Sequence, residues 1–125
     1  MREIKELMKS DHLMIDGKAD YFPPECETYH GSVHWRDFHA SVVFGYNENG
    51  MEHVSVSPYN RNRVPTWEEM CRIKDLFFRE DEMVVQIHPA AERYVHGVNG
   101  LDNVLHLWRP KDGDFSILNH PERWD

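Results

Sequence analysis

Histidines at positions 39, 53, 88 and 106 each sit in a short run with strand-like alternation: FHASVVF, MEHVSVSP, MVVQIHP and VLHLWRP. The last three runs stop at a proline, which cannot donate to a β ladder. An imidazole exchanges a proton near neutral pH and, when neutral, ligates divalent metals. Two such rings together allow general acid–base chemistry, and three converging rings make a zinc-type site. Whether the rings meet depends on the strands that carry them. Alternation puts Phe38, Ala40, Val42 and Phe44 on one side of the first run and His39, Ser41 and Val43 on the other. The same rule predicts an apolar face of Val54, Val56, Val85, Ile87, Leu105 and Leu107. It assigns His53, Ser55, Gln86, His88, His106 and Trp108 to the opposite face. Arg109, placed by parity on the other face or at the strand's end, offers a cation for a phosphate or carboxylate. These seven residues, from His53 to Arg109, are the candidate ligand-binding set. A slip of one residue in any strand would turn its histidine to the other side.

Local spacing does not support a metal. HGSVH places His30 and His34 four apart, but Gly31 and the strand-like context remove the helical geometry that such spacing requires. No Cys-x-x-Cys pair is present, so neither a metal nor a cofactor is expected. For acid–base work, HVSV (His53 to Val56) resembles one half of the His-x-Ser/Thr-x pair of two-histidine phosphoesterases. The second candidate, HLWR, carries Trp108 in place of the hydroxyl residue. Gly-rich phosphate loops and nucleophile elbows are absent. The bland alternative is that the second sheet face is covered by an N-terminal arm or another subunit. Trp108, Val84 and Val104 on that side argue against full exposure.

The elements that must position these residues are legible in outline. PTWEEMCRIKDLFFRE is the best helix, with Thr66 as N-cap and Glu69 three residues later in a capping box. Its apolar stripe is Trp67, Met70, Cys71, Ile73, Phe77 and Phe78, expected in the core. Residues 2–9 have helical spacing, and residues 15–31, with Gly17, Pro23, Pro24 and Gly31, read as an irregular arm. Asn49-Gly50 predicts a tight hairpin turn. The expected fold is α+β: a small antiparallel sheet in a β-β-α-β-β core, packed on one main amphipathic helix. The expected division is an N-terminal helix and arm over 1–31 and a single α+β domain over 32–125.

Composition narrows the function. The chain has 125 residues, 40% hydrophobic, and a net charge of −8, which excludes a disordered chain and disfavours direct nucleic-acid binding. A basic protein partner fits the charge better, and a homo-oligomer is left open. The polar N-terminus and the lack of an apolar run of about 18 residues predict no membrane association and a cytoplasmic setting. Cys26 and Cys71 do not form a disulfide framework, and Cys71 is expected as a buried free thiol in the helix.

Taken in order, HVSVS, PTWEEMCRIKDLFF, VVQIHP and LHLWRP resemble an uncharacterised domain family found mainly in bacteriophage and prophage proteins, over roughly residues 38–110. Relatives of that pattern tend to continue His-Pro with a second proline and Lys-Ser-Glu-Tyr-Val-Asn. Here AAERYVH keeps Tyr94 and Val95 and lacks the lysine. Relatives often place Cys where this chain has Val104, which removes thiol chemistry at that position. The first 35 residues are particular to this chain and are expected to carry its own specificity. The resemblance implies a phage accessory protein in a bacterial host cell. It would act by binding a host or phage protein, in the manner of an anti-defence inhibitor. The alternatives are a histidine-dependent hydrolase or phosphoesterase, and a nucleotide-binding sponge using the His/Trp/Arg sheet face.

Overall fold

Strand alternation governs most of the molecule. The computed structural model describes residues 1–18, 27–46, 50–60, 63–87 and 104–116. In chain order the elements are α1 (Ile4–Leu7), β1 (Leu13–Lys18), β2 (Thr28–Trp35), β3 (Phe38–Tyr46), β4 (Met51–Pro58), α2 (Trp67–Phe77), β5 (Val85–Ile87) and β6 (Leu105–Pro110). The strands form one six-stranded sheet in the order β1-β2-β3-β4-β6-β5, and every pairing is antiparallel.

This corrects the expected fold class. The described residues are mostly sheet, with only two short helices among them, rather than a small α+β sheet built on one main amphipathic helix. The difference arises in the N-terminal part. LMIDGK and TYHGSVHW, which overlap the irregular arm expected over 15–31, form β1 and β2. Their pattern is hard to see because Gly17 marks a bulge and Gly31 stands where an inward side chain would be expected. Gly31 lies so close to β1 that an added Cβ would be 2.1 Å from the Met14 carbonyl oxygen.

One face of the sheet carries the core. Val33, Phe38, Ala40, Val42, Phe44, Val54, Val56, Leu105 and Leu107 are buried there. Leu7 from α1 and Met70, Ile73 and Phe77 from α2 join them, with Phe78 just beyond. The side-chain parity expected for β3, β4 and β6 is the one observed. The helix start is also as expected. Thr66 Oγ1 accepts from Glu69 N, while the Glu69 carboxylate accepts from Thr66 N at 2.9 Å. Glu69 is buried, and its second oxygen takes Arg63 Nη2 at 2.5 Å, so the charge is paired where it leaves water. Cys71 is a free thiol but only half-buried, and Cys26 lies outside the described residues.

A charged network closes one end of the core face. The Met1 ammonium bonds Glu52 and, at 2.7 Å, Glu82; Arg109 lies 3.7 Å from Glu52 and 3.6 Å from Glu82. Burial pushes the Glu82 carboxyl up, but the Met1 ammonium and Arg109 outweigh it and hold the group below the ordinary carboxylate range. A depressed folded-state pKa contributes stability that is present above the unfolded value and lost as pH falls through the folded one. Urea midpoints are therefore expected to fall from about pH 5 downward. Glu82→Gln should lower the midpoint at neutral pH and flatten that acid limb. An unchanged acid limb in the variant would remove Glu82 from the account.

Candidate functional site

Adjacent strands bring His53, His106 and Trp108 together. His53 on β4 lies directly opposite Trp108 on β6, and Ser55 lies opposite His106. His53 Nε2 and His106 Nδ1 are 2.8 Å apart, so one ring donates to the other. The planes of the two imidazoles are almost parallel, at 7°. The His53 ring stacks on the Trp108 indole with centroids 3.9 Å apart. Trp108 is fully buried and His53 is 8% exposed, whereas His106 is half-buried. The arrangement couples the tautomers of the two rings, and a proton can pass along the N–H···N bond. Of these four side chains, His106 and Ser55 are the half-buried ones.

The other expected members are elsewhere. β5 pairs with β6 so that Val85 faces Trp108 and Ile87 faces His106, while Gln86 faces Leu107. The strand thus has the opposite parity to the expected one. Val85 and Ile87 share the histidine face, Gln86 lies on the core face, and Val84 packs against the core. A three-residue strand flanked by apolar residues on both parities gives periodicity too little to work with. His88 lies outside the described residues. Arg109 pairs across β4 with Glu52 on the core-face side, in the network around Glu82. Among the described residues Arg109 therefore does not share a face with His53, His106 and Trp108. His39 does share the histidine face, but it is six positions along β3 from Gly45, the residue opposite His53, or about 20 Å away. It stacks instead on His34, with ring centroids 6.2 Å apart. Among the described residues no group of three or more His, Cys, Asp or Glu is placed to hold a metal ion.

The His53–His106 bond has a measurable weight. His106→Ala removes the partner of a buried ring nitrogen and is expected to cost about 1–3 kcal/mol in urea unfolding. A double-mutant cycle with His53→Ala should return a coupling of about 0.5–3 kcal/mol. Additive single effects would show that the pair contributes nothing jointly.

A second feature escaped the sequence. A cavity of about 200 Å³ opens between β2 and α2. Val33, Phe38 and Ile73 form its apolar floor, and Trp35, Arg72 and Asp75 stand around it. The Arg36 guanidinium lies 4.4 Å from the Trp35 ring centroid, and that of Arg72 lies 5.3 Å away. Arg36 holds this place from the tight β2–β3 turn with a φ of 56°, an uncommon conformation for a non-glycine residue. It also pairs with Glu68 at 3.9 Å, which ties the turn to the start of α2. Trp67, next to Glu68, is 71% exposed, not in the core where the apolar stripe would have put it. The signal was present in the helical wheel. Met70, Ile73 and Phe77 define the buried arc, and Trp67 lies about 90° from its centre.

The model of a domain of unknown function (DUF7694) matches residues 43–112. The chain belongs to this family. No curated protein and no solved structure matches the chain. The DUF7694 segment runs from the second half of β3 through β6, so it holds His53, His106 and Trp108. The cavity straddles its boundary. Its α2 wall lies inside the matched residues, and its β2 wall, with Val33 and Trp35, lies before them. Among the described residues no helix is long and apolar enough to cross a membrane.

Proposed function

We propose that this DUF7694 protein is a phage-type accessory protein that acts by binding another protein, in the manner of an anti-defence inhibitor. The observation that carries the reading is the surface around the β2–β3 turn and the start of α2. There Trp67, 71% exposed, precedes Glu68, whose carboxylate pairs with the Arg36 guanidinium that lies over the Trp35 ring. Tryptophan and arginine are the residues that most often dominate binding energy at protein interfaces. Val64, also exposed at 43%, lies two residues before the Thr66 N-cap. The chain's net charge of −8 suits a partner with a basic face. The phage setting comes from the sequence resemblance. The reading is tested by low-salt capture from bacterial lysate, followed by titration with the purified partner. Trp67→Ala and Trp35→Ala should each weaken binding by tenfold or more, and added salt should weaken it further. Affinity indifferent to both substitutions would refute the assignment.

A second reading, a histidine-dependent hydrolase or phosphoesterase, is favoured by one observation, the 2.8 Å His53–His106 bond beside Ser55. It requires turnover of an activated phosphate ester that His106→Ala abolishes in a folded protein. A wild-type protein without turnover would end it.

A further inference from the structure

We infer that the cavity between β2 and α2 is the seat of one large apolar side chain of the partner, carried next to a lysine or arginine. This rests on the protein-binding reading above and names the chemistry of that contact.

Size is the first support. At about 200 Å³ the cavity falls below the range typical of pockets for drug-sized ligands, and it suits a single apolar side chain. Its floor is apolar and packed: Val33, Phe38 and Ile73 are 3%, 1% and 4% exposed, with Leu76 half-buried at the edge. Trp35 makes a wall that is already held by the guanidinium of Arg36, so little freedom is lost when a side chain lies against it.

Charge is the second support. Around the cavity Arg36 is paired with Glu68 and Arg63 with Glu69, while the Arg72 guanidinium lies over the Trp35 ring. Asp75 is exposed at the rim, and among the described residues its carboxylate makes no ion pair. A cationic side chain next to the apolar one would meet this carboxylate, in the field of a chain with net charge −8.

The test uses the full chain and three capped dipeptides: N-acetyl-Phe-Lys-amide, N-acetyl-Ala-Lys-amide and N-acetyl-Phe-Glu-amide. Amide and indole resonances are followed by NMR. The Phe-Lys probe should give saturable shifts centred on Trp35, Ile73 and Leu76. The other two probes should bind at least fivefold more weakly. Asp75→Asn should remove the preference for Lys over Glu. Leu76→Trp, which fills the cavity from its edge, should abolish the shifts while the thermal midpoint confirms a folded protein. No saturable shift with Phe-Lys, or equal affinity for all three probes, would overturn the inference. If the captured partner then still binds and Leu76→Trp leaves its affinity unchanged, the protein-binding reading survives and only the cavity's role is lost. If partner binding is also insensitive to Trp35 and Trp67, that reading falls as well.

Discussion

Phe77→Ala is expected to cost about 3–5 kcal/mol of stability. Phe77 is fully buried in the last turn of α2, and its ring meets that of Phe44 on β3 with centroids 5.1 Å apart. Truncation removes a whole ring from a site bounded by β-sheet side chains that have little room to move inward. The loss combines the transfer term with a residual cavity. Since a domain of this kind is stable by about 5–15 kcal/mol, the variant should unfold at a far lower urea concentration. A local consequence follows from position. Ile73 lies one helical turn before Phe77 and forms part of the cavity floor, so loosening the end of α2 should also weaken any ligand of that cavity. Urea unfolding read by tryptophan fluorescence measures the first effect. A loss below about 1 kcal/mol would mean that α2 is not anchored through Phe77.

Gly45→Ala is the second large expectation, at about 2–4 kcal/mol. Gly45 sits in β3 opposite both Thr28 and His53, with a φ of 132° that L side chains rarely adopt. A Cβ built there would lie 2.1 Å from the carbonyl oxygen of Glu27. That oxygen accepts from Tyr46 N at 3.2 Å, so it cannot withdraw without opening the end of the β2–β3 pair. The obstacle is backbone, which cannot swing aside as a flexible side chain would. Gly113→Ala is the matched control. Its φ is 83°, but a Cβ there meets nothing within 4 Å, so only the conformational term of about 1–2 kcal/mol remains. Amide exchange at Thr28 should accelerate in the Gly45 variant and not in the Gly113 variant. Equal effects at the two positions would show that strain, and not close approach, sets the cost.

The candidate site was partly written in the sequence. Alternation alone placed His53 and His106 on one face with Trp108, because β4 and β6 are long enough to show a period of two and carry Val54, Val56, Leu105 and Leu107 on the other side. The capping box at Thr66 and Glu69 was likewise a local property, readable from four consecutive residues. Other features depended on contacts that no local window contains. Pairing partners were one, since it is the β4–β6 adjacency across a long connection that bonds His53 to His106 and leaves His39 with His34. Register was another, since a three-residue β5 has no period of its own and takes its parity from Leu107 and Trp108. The extent of the sheet was a third. β2 is held by its ladder to β3, and β1 by its ladder to β2 and a backbone approach that needs Gly31, neither of which is a pattern along the chain. The cavity beside Trp35 exists only because β2 and α2, separated by two strands in the chain, are folded against each other. Local sequence thus determined which residues alternate and where the helix begins. Tertiary structure decided which strands pair, which face each side chain reaches and where a partner can be gripped, because those outcomes rest on long-range packing.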